Sequence, residues 1–191
     1  TLPKRELLCG LAEVIKYGVI MDIPLFNMIE SNAAKIAELS PEKHPDLWMA
    51  LVETSCRNKV AVISKDEKEA NLREILNFGH TIGHGIEAAY DYTGFLHGEA
   101  ISIGMVAVAY IAHSLGHIDS HTFERIQTLL STIGLPTQLP DTTKHDAIME
   151  HMKSDKKVRN EQIRFILPNG IGNTVVKHDI SSILITEALQ Y

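Results

Sequence analysis

The chain has 191 residues, 45% of them hydrophobic and 22% charged, a balance that suits one domain with a sizeable core and argues against disorder. Its net charge of −6 excludes bulk attraction to nucleic acid or an anionic membrane, and leaves room only for a local basic pocket for a small anion. Two cysteines, Cys9 and Cys56, are too few for a disulfide framework, and no CxxC pair offers a structural zinc site.

Helical periodicity begins at once. Pro3 stands where a first turn can start, with apolar positions at Leu7, Leu8, Leu11, Val14 and Ile15. A second helix is expected from Ile23 to Leu39, stopped by Ser40 and Pro41. A third is expected from Pro45 to Ser64, with Leu47, Leu51, Val52, Val60 and Ile63 as its core residues. The charged stretch Lys65 to Glu69 leads into a helix from Leu72 to Tyr90. Residues 93–98 read as a loop before an apolar helix that ends near Leu115 and Gly116, Gly being the usual residue just past a helix end. Helices from Ser120 to Ile133 and from Thr142 to Met152 follow. The period then changes: Ile163 to Leu167 and Asn173 to Val176 read as two short strands joined by Pro168, Asn169 and Gly170. A last helix is expected from Ile180 to Leu189. The fold class is mainly α: one helical domain over residues 1–191, with one short β-hairpin near the C-terminus. No apolar run reaches the roughly 18 residues of a membrane span and no signal peptide is legible, so the expected compartment is the cytoplasm. Leu2, Pro3, Lys4 and Arg5 read as the middle of something longer.

The segment from Leu72 to Glu87 carries the most chemistry. At about 100° per residue, Arg73, Asn77, His80, His84 and Glu87 share one face of a helix, while Ile75, Phe78, Ile82 and Ile86 share the other. Gly79, Gly83 and Gly85 sharpen this, because each costs roughly 1 kcal/mol against Ala inside a helix. Close approach of another backbone or of a ligand would justify them. A solvated surface is the plainer reading of the polar row, but such surfaces are normally Lys, Glu and Gln.

A catalytic zinc needs about three protein ligands and an open position. From spacing alone, the sets His80, His84, His97 and Glu13, His80, His97 both remain open. His113, His117 and His121 are spaced i, i+4, i+8, but Gly116 and Asp119 are expected to end one helix and cap the next, scattering the rings. His44, His145, His151 and His178 read as surface residues. Glu13 and Lys16 form an i, i+3 pair whose apolar flanks suggest burial rather than an ordinary surface ion pair. Lys16, Lys59, Arg73, Lys156 and Lys157 are the cations available for a substrate bearing carboxylate and phosphate.

Four segments resemble the 3-dehydroquinate synthases: GLAEVIKYG at 10–18, DEKEANLREILNFGHTIGH at 66–84, HGEAISIGM at 97–105 and DKK at 155–157. The resemblance implies a two-domain enzyme whose N-terminal NAD-binding domain is absent from this chain; no GxGxxG follows a strand here. It implies Glu13, His80 and His97 as ligands of Zn2+ (or Co2+), with NAD as the second cofactor. It further implies Lys16, Lys59, Glu69 and His84 as catalytic residues, and Lys59, Arg73, Asn77, His84 and Lys156 as contacts to a small phosphorylated sugar-acid substrate. Lys156 is preferred over Lys157 for the phosphate. Further phosphate contacts are implied on a neighbouring subunit of a homodimer, with no nucleic acid or membrane partner. Asn71 stands where the family commonly has Gly, and Asn tolerates a positive φ. Two other readings stand beside this one: a different sugar-phosphate cyclase, such as a 2-deoxy-scyllo-inosose synthase-like protein, and a non-catalytic metal-binding module. On its own the chain is expected to lack synthase activity.

Overall fold

Pro3 has the fixed φ of −54° that suits the entry to a helix, and α1 (Lys4–Met21) starts directly after it. A computed structural model of the chain describes residues 2–65, 72–159 and 163–191, and the side chains of all of these except 65, 72 and 154–159. Asp22 ends α1 and caps α2 (Ile23–Ser31), its carboxylate accepting from the Leu25 N–H at 2.9 Å.

The single helix expected from Ile23 to Leu39 is two. Asn32, at φ −115° and ψ 13°, separates α2 from the short α3 (Ala33–Ala37). Its side-chain amide donates to the Met28 carbonyl at 2.9 Å, a local bond that competes with the helical ladder. The next helix, α4 (Pro45–Lys65), forms as expected, but its buried face differs from the reading. Trp48, Leu51, Asn58 and Val62 are buried, while Val52, Val60 and Ile63 are 58%, 61% and 38% exposed. Two polar side chains make the inner face possible. Asn58 donates to Asp22 at 2.7 Å and Ser55 to the Leu51 carbonyl at 2.7 Å.

The helix expected from Leu72 to Tyr90 is also interrupted. A 3-10 helix, Leu72–Asn77, is followed by Phe78 and by Gly79 at φ +77°, and only then by α5 (His80–Ala89). The left-handed Gly79 turns the chain, so Arg73 and Asn77 do not continue the helical face of His80, His84 and Glu87. Phe78, Ile82 and Ile86 are fully buried, as the dry side of the segment requires.

The centre of the molecule is α6 (His97–Ser114), buried almost all round and touching α1, α5, α7, the hairpin and α9. Asp119 caps α7 (Ser120–Ile133), accepting from the Thr122 N–H, and Gly134 at φ +98° closes it. α8 (His145–Arg159) packs on α5. That packing corrects the surface reading of His145, which lies in the first turn of α8 and is only 7% exposed. The strands β1 (Phe165–Pro168) and β2 (Thr174–Lys177) pair antiparallel, Phe165 opposite Lys177 and Pro168 opposite Thr174. All of β1 is buried against α6, and α9 (Ser182–Ala188), capped by Ser181, closes the chain.

Candidate metal centre

Two close helix crossings build the site. At the first, α1 meets α6 with Gly98 against Cys9; a Cβ on Gly98 would stand 2.3 Å from the Cys9 carbonyl oxygen. Glu13 lies one turn beyond Cys9 on α1, and His97 immediately precedes Gly98, so this crossing delivers both to one place. At the second, α5 meets α6 with Gly104 against Gly79, where a Cβ on Gly104 would stand 2.1 Å from the Gly79 oxygen. His80 follows Gly79. Gly83 faces Ile101 in the same crossing and Gly85 faces α8 through Met152 and Ile148. The glycines therefore serve close packing against other helices.

The start of α6 is tied down. Glu99 accepts from the Leu96 N–H at 2.8 Å and takes the Arg5 guanidinium in a two-point grip at 2.6 and 2.7 Å. Charge-assisted bonds of this kind hold the helix end, and with it His97, in register.

Glu13, His80 and His97 each offer one atom such that the three lie within 4.8 Å of one another. Both imidazoles direct Nε2 at Glu13 Oε1, at 3.6 Å from His80 and 3.8 Å from His97. That oxygen is buried and has no hydrogen-bond partner. The atoms of the trio that face away from this point are engaged: Glu13 Oε2 accepts from Lys16 at 2.6 Å, His80 Nδ1 meets the Phe78 carbonyl at 3.0 Å, and His97 Nδ1 meets Glu87 at 3.1 Å. An orphaned carboxylate oxygen facing two free imidazole nitrogens fits a divalent cation of the zinc or cobalt type.

The electrostatics agree with this fit. Burial, reinforced by the Lys16 ammonium, pushes His80 down to about 4, so it is neutral and able to ligate near pH 7. Burial also lowers Lys16, which is 4% exposed at its side chain, although Glu13 opposes the shift. For Glu13 burial acts upward, but Lys16 and the two histidines bring the carboxyl below its ordinary value. The pair expected from i, i+3 spacing is thus formed, and its lysine is buried.

His84 stands one turn beyond His80, its ring 5.5 Å from that of His80 and 5.9 Å from that of His97, and it is exposed. Three imidazoles therefore cluster, but His84 falls outside the group formed with Glu13. It joins a second group with Glu87 and His97. Lys59, Arg73 and Asn77 are exposed, Lys59 close enough to Lys16 to oppose its protonation. Glu69 and Asn71 lie outside the described residues, as do the side chains of Lys156 and Lys157. His113, His117 and His121 fall on α6, on the segment after it and on α7, with Gly116 at φ +75° and the Asp119 cap between them.

Sequence reasoning passed over three contributors. Gly98 and Gly104, six apart on α6, set both crossings, and two glycines inside an otherwise apolar helix were the available signal. Glu87 was seen in the polar row without a role; its partner His97 is ten residues away across a loop.

A protein-family model described as 3-dehydroquinate synthase C-terminal matches residues 10–158. The 3-dehydroquinate synthase of Thermoanaerobacter pseudethanolicus is 48% identical over 188 residues, which cover 96% of this chain and 51% of that protein. That of Picosynechococcus sp. is 43% identical over 189 residues, covering 99% and 51%. The chain spans about half the length of the curated relatives it matches. Among solved structures, a 2-epi-5-epi-valiolone synthase of Streptomyces hygroscopicus with NAD+ and Zn2+ bound superimposes with TM-score 0.87 at 27% identity, over 99% of this chain and 51% of that one. A 2-deoxy-scyllo-inosose synthase complexed with carbaglucose-6-phosphate, NAD+ and Co2+ gives 0.80 at 26% identity, over 98% and 52%.

Proposed function

Because the chain belongs to the 3-dehydroquinate synthase C-terminal family, we propose that it is the metal-binding half of a 3-dehydroquinate synthase, which converts 3-deoxy-arabino-heptulosonate 7-phosphate to 3-dehydroquinate and phosphate. The observation that carries this is the orphaned Glu13 Oε1 facing the Nε2 atoms of His80 and His97. An NAD-binding domain outside this chain, which spans about half the length of its curated relatives, supplies the other wall of the cleft. On the family resemblance, the reading extends to a cytoplasmic homodimer for the full protein.

Glu13, His80 and His97 would hold the cation, which when bound supplies Lewis-acid polarisation of a hydroxyl or ketone oxygen, beside a nicotinamide as transient hydride acceptor. The chain's own residues bind, orient and move protons. Lys16 holds Glu13 as a carboxylate and fixes which oxygen faces inward. Exposed Arg73 and Lys59 are suited to the substrate carboxylate, Arg by a two-point grip. Asn77 and Lys156 are assigned to the phosphate, and Glu69 to the catalytic set with Lys16, Lys59 and His84. His84, exposed and beside His80, is assigned the alcohol proton, an imidazole nitrogen being able to accept it.

In the full-length protein, His80→Ala should abolish both stoichiometric zinc binding and turnover, whereas His84→Ala should keep the metal and lose turnover. Loss of zinc from His84→Ala would overturn the ligand assignment. The likeness to the scyllo-inosose and valiolone synthases keeps a second reading open, a cyclase for another sugar phosphate. Arg73, suited to a substrate carboxylate, speaks for the first reading, and comparing phosphate release from the two substrates decides between them. The 191-residue chain by itself should show no turnover until an N-terminal domain is added.

A further inference from the structure

The two imidazoles of the metal centre are oriented by different means. His80 Nδ1 meets a backbone carbonyl, that of Phe78, at 3.0 Å. His97 Nδ1 meets a side chain, the Glu87 carboxylate, at 3.1 Å. Glu87 comes from α5, one helical turn beyond His84, and its side chain is 13% exposed. The His97 ring is far more open, at 49% exposed, and stands on the first residue of α6. Packing alone does not fix the rotation of a half-exposed ring at a helix end.

A neutral imidazole carries one N–H, on either nitrogen. A carboxylate against Nδ1 accepts that N–H and so holds the proton there, leaving the Nε2 lone pair free. It also sets the plane of the ring. In His97 the freed Nε2 is the atom that points at the orphaned Glu13 oxygen, 3.8 Å away. We propose that Glu87 is a positioning residue of the metal centre: it holds His97 as the Nδ1–H tautomer, with Nε2 directed at the cation, and does not itself ligate. This rests on Glu13, His80 and His97 being the ligand set. The competing arrangement is the group formed by His84, Glu87 and His97, in which Glu87 would be a ligand.

Zinc affinity of the chain, measured by competition with a chromophoric chelator, separates the two, with the Co2+ absorption spectrum as a second readout. Glu87→Gln keeps an acceptor oxygen for the Nδ1–H and should bind zinc within about threefold of the parent. Glu87→Ala removes the acceptor and should weaken binding by roughly 10- to 100-fold, with the Co2+ spectrum changed in Ala and retained in Gln. Parent-like affinity in Glu87→Ala overturns the proposal. So does an equal loss in Ala and Gln, or two zinc ions per parent chain, since either makes Glu87 a ligand. The ligand set itself is tested separately by His80→Ala, which loses zinc whatever Glu87 does. Should Glu87→Ala fail to fold, 15N shifts of the metal-free parent above neutral pH still decide: His97 protonated on Nε2 rather than Nδ1 would falsify the assignment.

Discussion

Helices α4 and α6 have 21 and 18 residues, and both present apolar faces, yet they stand in the fold in opposite ways. α6 is enclosed by five elements, and its backbone meets two other helices at Gly98 and Gly104. α4 attaches along one stripe that includes polar Asn58, and turns Met49, Val52 and Val60 outward at 69%, 58% and 61% exposure. The site is built on the enclosed helix. Positions around it are set by contacts from several directions, so the candidate ligands from α1, α5 and α6 reach one point with little freedom. α4, held on one side, brings the exposed Lys59 near Lys16.

The sharpest way to break this contrast is Gly104→Val. Its added carbons would enter the space of the Gly79 carbonyl, and overpacking where backbone meets backbone should cost about 3 kcal/mol or more, read by urea unfolding. Parent-like stability would mean the crossing is loose and the contrast false. Next is Lys16→Met, which leaves the half-buried Glu13 carboxylate without its 2.6 Å partner. A loss of about 2 kcal/mol is expected in the metal-free chain, less than for a fully buried pair because Glu13 keeps some solvent.

A pH series gives a smaller effect. His80 titrates near 4 in the fold but near 6.5 when unfolded, so below pH 6.5 the unfolded chain binds the extra proton. Stability from this group is therefore fully present above 6.5 and is lost as pH falls toward 4. Thermal unfolding of the metal-free chain should show roughly 1 to 2 kcal/mol lost between pH 7 and 5, and His80→Gln should remove that part of the dependence. The smallest expected effect is on α4: Val60→Asp on the outward stripe should change stability by less than about 0.5 kcal/mol. A loss near that of Gly104→Val would show that the stripe is buried after all.

Legibility followed the range of the interaction that decides each feature. The Asp119 cap and the Glu13–Lys16 pair are settled within three residues and the hairpin within about a dozen, and each was readable. The Leu72 to Tyr90 segment misled because a helical period runs across Gly79, although the backbone there is left-handed. α6 packs so closely on that turn that a Cβ on Gly79 would stand 2.7 Å from Met105 Cγ and 2.9 Å from the Ile101 carbonyl oxygen. The α4 face misled for a related reason. Hydrophobicity favours Val52, Val60 and Ile63 as core, but the inward stripe is decided by where Asp22 waits for Asn58. Glu87 was visible as one of a row and still lacked a function until its partner was seen.

By itself the sequence determined the helices, their caps, the hairpin and a short roster of ligating side chains, because these follow from local periodicity, turn chemistry and side-chain type. It left two ligand sets equally open. The tertiary structure decided which atoms meet. Glycine contacts between α1, α5 and α6 place Glu13 Oε1 opposite two Nε2 atoms, and Lys16, the Phe78 carbonyl and Glu87 occupy the remaining atoms of the trio. Convergence of this kind depends on crossings between residues as far apart as Cys9 and Gly98, and no local pattern encodes it.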